Sequence, residues 1–142
     1  MNLSKNFTLE ELTASATAKA KGIHNVPGVQ EAVNLTALVH KVLQPLRDAM
    51  GPITIASGYR CPALNKAVGG VTNSQHMKGE AVDIFIKGDT LYGTRLFRWI
   101  KDNAPFDQLI WEHNVKGTYW VHVSYKADGN NRRHVIGNLL KK

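Results

Sequence analysis

The sequence contains a single cysteine, Cys61, among 142 residues. One cysteine cannot form an internal disulfide, and it excludes a metal site built from several thiolates. No apolar run approaches the length needed to span a bilayer, so we expect no membrane insertion. Stability must therefore come from packing within the chain, to which a bound metal ion could add.

Acidic residues are also scarce, with 11 Asp and Glu against 18 Lys and Arg, giving a net charge of +7. This balance favours anionic partners such as nucleic acid, acidic membranes or an anionic cell wall. The basic residues are spread along the chain, with small clusters only at Arg132–Arg133 and Lys141–Lys142. No nucleic-acid recognition motif accompanies them. We predict a solvated basic surface that steers the protein towards anions, and no dedicated nucleic-acid binding.

Repeats and low-complexity segments are absent, and the length predicts one domain over residues 1–142. Thr8 and Glu11 form a capping box that begins a short helix. Apolar residues at three- and four-residue steps predict a long helix over about 28–50, which Pro45 should kink. We expect a helix from Asp89 or Thr90 to about Asn103.

Four segments have strand character, namely ITIAS, EAVDIFI, DQLIWE and YWVHVSY, the last two forming a hairpin around Lys116–Gly117. The segment 16–27 and the polar tail after Ala127 are expected to be irregular. Helices followed by a small, mostly antiparallel sheet define an α+β fold.

Three residues are candidates for a metal site. His76 lies in a long connection, Asp83 follows it on a strand, and His122 lies between two valines on another strand. An ionised carboxylate inside an apolar run is costly unless a partner or a cation satisfies it. Two imidazoles and one carboxylate suit tetrahedral zinc, with the fourth position open as in catalytic sites.

The hairpin supplies a candidate general base. If its turn centres on Gly117, Glu112 faces His122 across the ladder, on the same side of the sheet. Arg60, at the end of the first strand, offers a planar fork suited to a substrate carboxylate.

Each of these residues also has an ordinary structural interpretation. His76 could make local hydrogen bonds in its loop, and His122 could be a core histidine. Asp83 could cap a helix or pair with Arg60, which itself could be a surface ion-pair residue. Glu112 could be an exposed strand residue.

The segment SQHMKGEAVDI has the S-x-H-x-x-G-x-A-x-D form of the M15 family of zinc peptidases, the D-alanyl-D-alanine carboxypeptidase-like group. The segments ITIASGYRCPALNKAVGGVTNSQHMKGEAVDI and FDQLIWE…WVHVSY resemble its phage and prophage branch. LSKNFTLEELTAS and NLTALVHKVLQPLRDAMGPI resemble its N-terminal part, so the similarity extends from Leu3 to about Tyr125.

The resemblance implies a fold of the hedgehog and D,D-peptidase type, with one zinc ion per chain held by His76, Asp83 and His122. Arg60 would hold a substrate carboxylate or stabilise the oxyanion. Residues expected to contact substrate are Ser74, Gln75 and Tyr59, although Ser74 could simply cap its loop and Tyr59 could simply pack.

The chain departs from the family at the catalytic base. Some branches have a Glu three residues before the last ligand, where this chain has Tyr119. Others have a His two residues before it, where this chain has Trp120. Glu112 is therefore the candidate base, by register and by similarity to the Glu of DQLIWE-like segments.

Together these observations predict a monomeric peptidase, endolysin-like, that cuts stem peptides or cross-links of bacterial peptidoglycan. The N-terminus lacks the apolar core of a secretory signal. We expect a phage- or prophage-encoded protein made in the cytoplasm, acting after release or as a virion component. The alternatives are a non-catalytic zinc-containing module that binds the wall or belongs to a phage particle, and a basic nucleic-acid-associated protein.

Overall fold

The computed structural model describes residues 1–88 and 90–141. The helices are α1 (Leu9–Thr13), α2 (Ala16–Lys21), α3 (Val29–Leu38), α4 (Gln44–Met50), α5 (Pro62–Ala67) and α6 (Thr90–Asn103). The strands are β1 (Thr54–Ser57), β2 (Ala81–Ile86), β3 (Gln108–Asn114), β4 (Tyr119–Ser124) and β5 (His134–Lys141). The predicted α+β fold is confirmed. None of the described helices is both long enough and apolar enough to cross a membrane.

The five strands form one sheet in the order β1-β2-β4-β3-β5. The first three pairings are antiparallel, and β5 joins β3 in parallel. Along β2 and β4 successive side chains point to opposite faces. One face contributes Val82, Ile84, Val121 and Val123 to the core, while the other carries Asp83 and His122. This alternation separates the packing surface from the chemical surface.

The predicted long helix is present, but a π-helical turn over Val39–Leu43 divides it into α3 and α4. Pro45 follows this turn and has no backbone N–H to donate to the preceding turn. The wider turn accommodates that missing donor without ending the helix. The predicted apolar face is buried along both halves, with Leu35, Leu38, Val42 and Leu46 fully inaccessible to solvent.

Two elements were not expected from the sequence. Helix α2 lies in the segment predicted to be irregular, and the Ser15 hydroxyl caps it by accepting a hydrogen bond from the Ala18 N–H. Strand β5 lies in the tail predicted to be irregular. Of the two caps proposed for α6, Asp89 lies outside the described residues.

The β3–β4 hairpin has a different register from the predicted one. His113 pairs with Tyr119 and Ile110 with His122, so the loop comprises residues 115–117 and Glu112 pairs with Trp120. Gly117, with φ +81°, closes this three-residue loop. The expected pairing of Glu112 with His122 is therefore wrong, because Glu112 lies opposite Trp120, two residues before His122 on β4. Because the partner differs by two residues, an even number, the side chains of Glu112 and His122 still lie on the same face of the sheet.

Candidate metal centre

Three elements bring His76, Asp83 and His122 together. His76 lies in a 3₁₀ helix over Gln75–Lys78, which ends at Gly79 in the left-handed conformation. Asp83 on β2 pairs directly with His122 on β4. Each of the three side chains offers one ligand atom within 4.8 Å of the other two. Residues separated by 46 positions in the chain thus share one centre.

Contacts within this group orient its donor atoms. His76 Nδ1 lies 2.7 Å from the Gly58 carbonyl oxygen, which can only accept, so the ring must donate from Nδ1. That tautomer leaves the lone pair on Nε2, which lies 3.4 Å from Asp83 Oδ2. On the other side, His122 Nδ1 lies 3.0 Å from Asp83 Oδ1. A backbone carbonyl that fixes the tautomer is the usual support of a metal-bound histidine.

The chemistry of this donor set fits a divalent cation. Burial by itself would raise the pKa of Asp83. The contacts with the His76 and His122 imidazoles outweigh that effect and hold the pKa well below its usual range. An ionised carboxylate between two imidazoles is a ligand set that zinc accepts, with room for one further ligand.

Arg60 borders the centre and is tied into it. Its Nε donates to Ser57 Oγ at 3.1 Å and its Nη1 to Asn65 Oδ1 at 3.3 Å. Its Nη2 lies 3.4 Å from Asp83 Oδ2. Arg60 is therefore the ion-pair partner of Asp83, and its guanidinium also lines the cavity beside it.

Glu112 lies on the same face of the sheet, 3% exposed. Trp120 lies opposite Glu112 on β4, and Lys141 Nζ lies 3.7 Å from Oε2. The buried Oε2 accepts no hydrogen bond from the described residues. Burial raises the pKa of Glu112, and the charge of Asp83 raises it further. A buried carboxylate with a free oxygen and a raised pKa has the properties of a general base.

The residues predicted to contact substrate lie in different places. Ser74 is buried, and its hydroxyl accepts a hydrogen bond from the His76 N–H while it lines the cavity. Gln75 also lines the cavity and donates to Asp107 Oδ2 at 3.1 Å. Tyr59 instead packs in the hydrophobic core and is not among the residues that line the cavity. The structure therefore favours ordinary packing for Tyr59.

The cavity around the centre has a volume of about 800 Å³. Sequence reasoning missed one wall of the cavity, because that wall comes from the start of β3, the β4–β5 connection and β5. The missed lining residues include Asp107, Gln108, Lys126, Arg132, Ile136, Leu139 and Lys141. The basic pair Arg132–Arg133 was the signal available in the sequence, and it was assigned to the solvated surface.

Asp107 connects this wall to the metal-site loop. It accepts hydrogen bonds from the Arg132 backbone N–H and Nε at Oδ1, and from Arg132 Nη2 and Gln75 Nε2 at Oδ2. Burial by itself would raise the pKa of Asp107, but the contacts with Arg132 lower it. One carboxylate thus joins the residue before His76 to the segment leading into β5.

Comparison with known proteins agrees with this geometry. Residues 5–124 match the family described as Peptidase M15. Over 81 residues the chain is 38% identical to the "Zinc D-Ala-D-Ala carboxypeptidase" of Streptomyces albus G. The aligned region is 56% of this chain and 31% of that relative, so the chain spans less than a third of the relative's length.

Proposed function

The chain belongs to the peptidase M15 family, and on that basis we propose that it hydrolyses amide bonds in peptidoglycan stem peptides or cross-links. The observation that carries the proposal is the convergence of His76, Asp83 and His122 in a cavity that also holds Glu112. Zinc is the ion that this donor set favours, in agreement with the name of the Streptomyces relative. Activity as a carboxypeptidase or an endopeptidase is consistent with this centre.

His76, Asp83 and His122 are the residues that would hold zinc. When bound, zinc polarises a carbonyl group and lowers the pKa of a coordinated water. The Gly58 carbonyl keeps the His76 ring in the ligating tautomer. Asp83 contributes the charge that a cation requires.

Glu112 is the proton carrier in the proposed reaction. It accepts a proton from the attacking water and returns that proton to the nitrogen of the departing amine, so that each amide bond yields one acid and one amine. The raised pKa of Glu112 suits both halves of this transfer, because a group that binds its proton more tightly is a better base. Its free Oε2 is the atom available for the task.

Arg60 supplies hydrogen-bond donors. A guanidinium has five N–H groups, and the contacts with Ser57, Asn65 and Asp83 use three of them. The remaining donors can hold a substrate carboxylate or a developing oxyanion. The charged fork is already fixed by its contacts, so little side-chain entropy is lost when substrate binds.

The size and charge of the cavity support a peptide substrate that carries carboxylates. About 800 Å³ lies within the range of pockets that enclose molecules larger than a dipeptide. Basic side chains at Lys78, Lys126, Arg132 and Lys141 line it alongside the acidic groups. Peptidoglycan stem peptides are anionic and match this lining.

The test combines metal analysis with mass spectrometry of digested peptidoglycan. The wild-type protein should contain one zinc per chain and release peptides whose masses identify the bond that is cut. The variant His76→Ala should lose both zinc and hydrolysis, while His24→Ala, at an exposed loop position, should keep both. Hydrolysis that survives His76→Ala would falsify the zinc mechanism. Wall binding without any product would favour the non-catalytic module.

We further propose that the protein acts as a monomeric phage or prophage lysin, made in the cytoplasm and working after release. The cavity is lined by residues of one chain, which supports activity as a monomer. Expression in a susceptible bacterium should cause lysis only when a pore-forming protein is added. Light scattering of the active sample should give the mass of one chain, and a dimer would refute the monomer proposal.

A further inference from the structure

The second oxygen of Glu112 has an unusual environment. Its carboxylate is 3% exposed, yet Oε2 accepts no hydrogen bond from the described residues. The nearest described cation is Lys141 Nζ at 3.7 Å, while Trp120 lies opposite Glu112 on the neighbouring strand. A buried carboxylate charge is costly unless a positive charge compensates it, and Lys141 is the residue placed to do so.

Strand pairing explains how Lys141 reaches the site. Strand β5 lies parallel to β3, with Ile110 opposite Ile136 and Glu112 opposite Leu139. The register shifts between these pairs, so β5 carries one extra residue there. Ile136, Leu139 and Lys141 all line the cavity. Strand β5 therefore directs its lysine towards the site even though the ammonium remains half exposed.

We propose that Lys141 is a positioning residue for Glu112, so that β5 forms part of the active site. This inference rests on the proposed peptidase function. At 3.7 Å the ammonium is too far away to form a hydrogen bond with Oε2 but close enough to attract it. Lys141 thus holds the carboxylate by attraction between charges, and the Oε2 lone pairs stay available for a proton.

Glu112 makes fewer and weaker polar contacts than Asp107 does. Asp107 accepts four hydrogen bonds and has no oxygen left for chemistry. Glu112 has the longer ionic contact with Lys141 and accepts no hydrogen bond at Oε2 from the described residues. The two buried acids on this wall therefore have different roles, one structural and one reactive.

The first experiment tests the contact in the metal-free protein, independently of activity. Thermal unfolding is measured for wild type, Lys141→Met, Glu112→Gln and the double variant. We expect Lys141→Met to lower Tm by a few degrees in the wild-type background and to have no effect in the Glu112→Gln background. Equal shifts in both backgrounds would overturn the proposal, because they would mean that Lys141 does not interact with Glu112.

The second experiment measures kinetics on purified muropeptides. Lys141→Met should lower kcat about tenfold, as loss of a group supporting a site residue commonly does. KM should change less than twofold, zinc content should be unchanged, and Lys141→Arg should restore most of kcat. Lys116→Met, in the exposed hairpin loop, serves as the matched control.

The outcomes separate this inference from the proposed function. If wild-type protein releases no product, the peptidase proposal fails, while the unfolding cycle still decides whether the pair exists. If wild-type protein is active and Lys141→Met keeps full kcat, the positioning role is refuted. A loss of zinc in Lys141→Met would also refute it, since the residue would then support the whole site.

Discussion

At the scale of single residues, burial and hydrogen bonding decide the role of each acid on the chemical face of the sheet. Asp83 lies beside Arg60 and two imidazoles, and the imidazoles hold its pKa low and keep it ionised. Glu112 is buried nearby, with its pKa raised. Environments that push two carboxyl groups in opposite directions are how a site assigns one to binding and the other to proton transfer.

Replacing Glu112 with Gln should separate these two roles. The amide keeps the size of the side chain but cannot accept and return a proton, so we expect kcat to fall by about 10²–10⁴-fold. Zinc content should equal that of the wild type, since Glu112 is outside the ligand group. Atomic absorption and muropeptide kinetics measure the two quantities. A fall in bound zinc that parallels the fall in rate would count against the assignment.

At the scale of elements, the long connection from Gly58 to Glu80 is held in place at both ends. The Gly58 carbonyl accepts from His76, and the Arg60 N–H donates to the His76 carbonyl. Gly79 ends the 3₁₀ helix with φ +73°, directly against the backbone of α3. Gly79 permits this sharp turn, because a residue without a Cβ adopts a positive φ at little cost. In the structure, its missing side chain also makes room for α3.

The variant Gly79→Ala should therefore lower the free energy of unfolding by more than backbone strain alone would. A new Cβ would lie 2.3 Å from the Glu31 carbonyl oxygen, and the left-handed backbone itself costs about 1–2 kcal/mol. Gly129→Ala is the matched control, because Gly129 has φ +86° and nothing within 4 Å. Urea unfolding should show the larger loss of stability for Gly79→Ala. Equal losses would mean that the contact with α3 relaxes freely.

Asp107 makes the stability of the segment that leads into β5 depend on pH. Its folded-state pKa is lowered by Arg132, so its stabilisation is present above the unfolded pKa, near 3.9, and is lost as pH falls towards the folded value. Asp107→Asn should lower the free energy of unfolding at pH 7 by about 1.5–3 kcal/mol. The difference from wild type should shrink on acidification. Urea unfolding from pH 7 to pH 3 tests this, and a difference independent of pH would contradict it.

At the scale of the whole molecule, the net charge of +7 acts over distances longer than any single contact. Such a charge raises the encounter rate with anionic polymers, and salt screens it. We expect it to contribute to targeting rather than to the chemistry in the cavity.

Hydrolysis of intact anionic cell walls should therefore slow as ionic strength rises from about 0.05 M to 0.5 M, where the Debye length falls well below 10 Å. Hydrolysis of a small neutral peptide substrate should change much less. Turbidity loss of wall suspensions and peptide release measure the two rates. Equal salt dependence for both substrates would remove the targeting role of the charge.

The amino-acid sequence by itself determined the fold class, the family and the grouping of donor residues. The alternation of side chains along the strands places Asp83 and His122 on one face of the sheet. Glu112 lies on the same face because the observed register of the β3–β4 hairpin differs from the predicted one by two residues, an even number. Tertiary structure alone decided that β5 joins β3, that Asp107 holds Arg132, and that Lys141 approaches Glu112. The apolar residues of the largely exposed β5 come in adjacent pairs, Val135–Ile136 and Leu139–Leu140, so they do not alternate with period two. The pairing of β5 depends on contacts between residues distant in the chain.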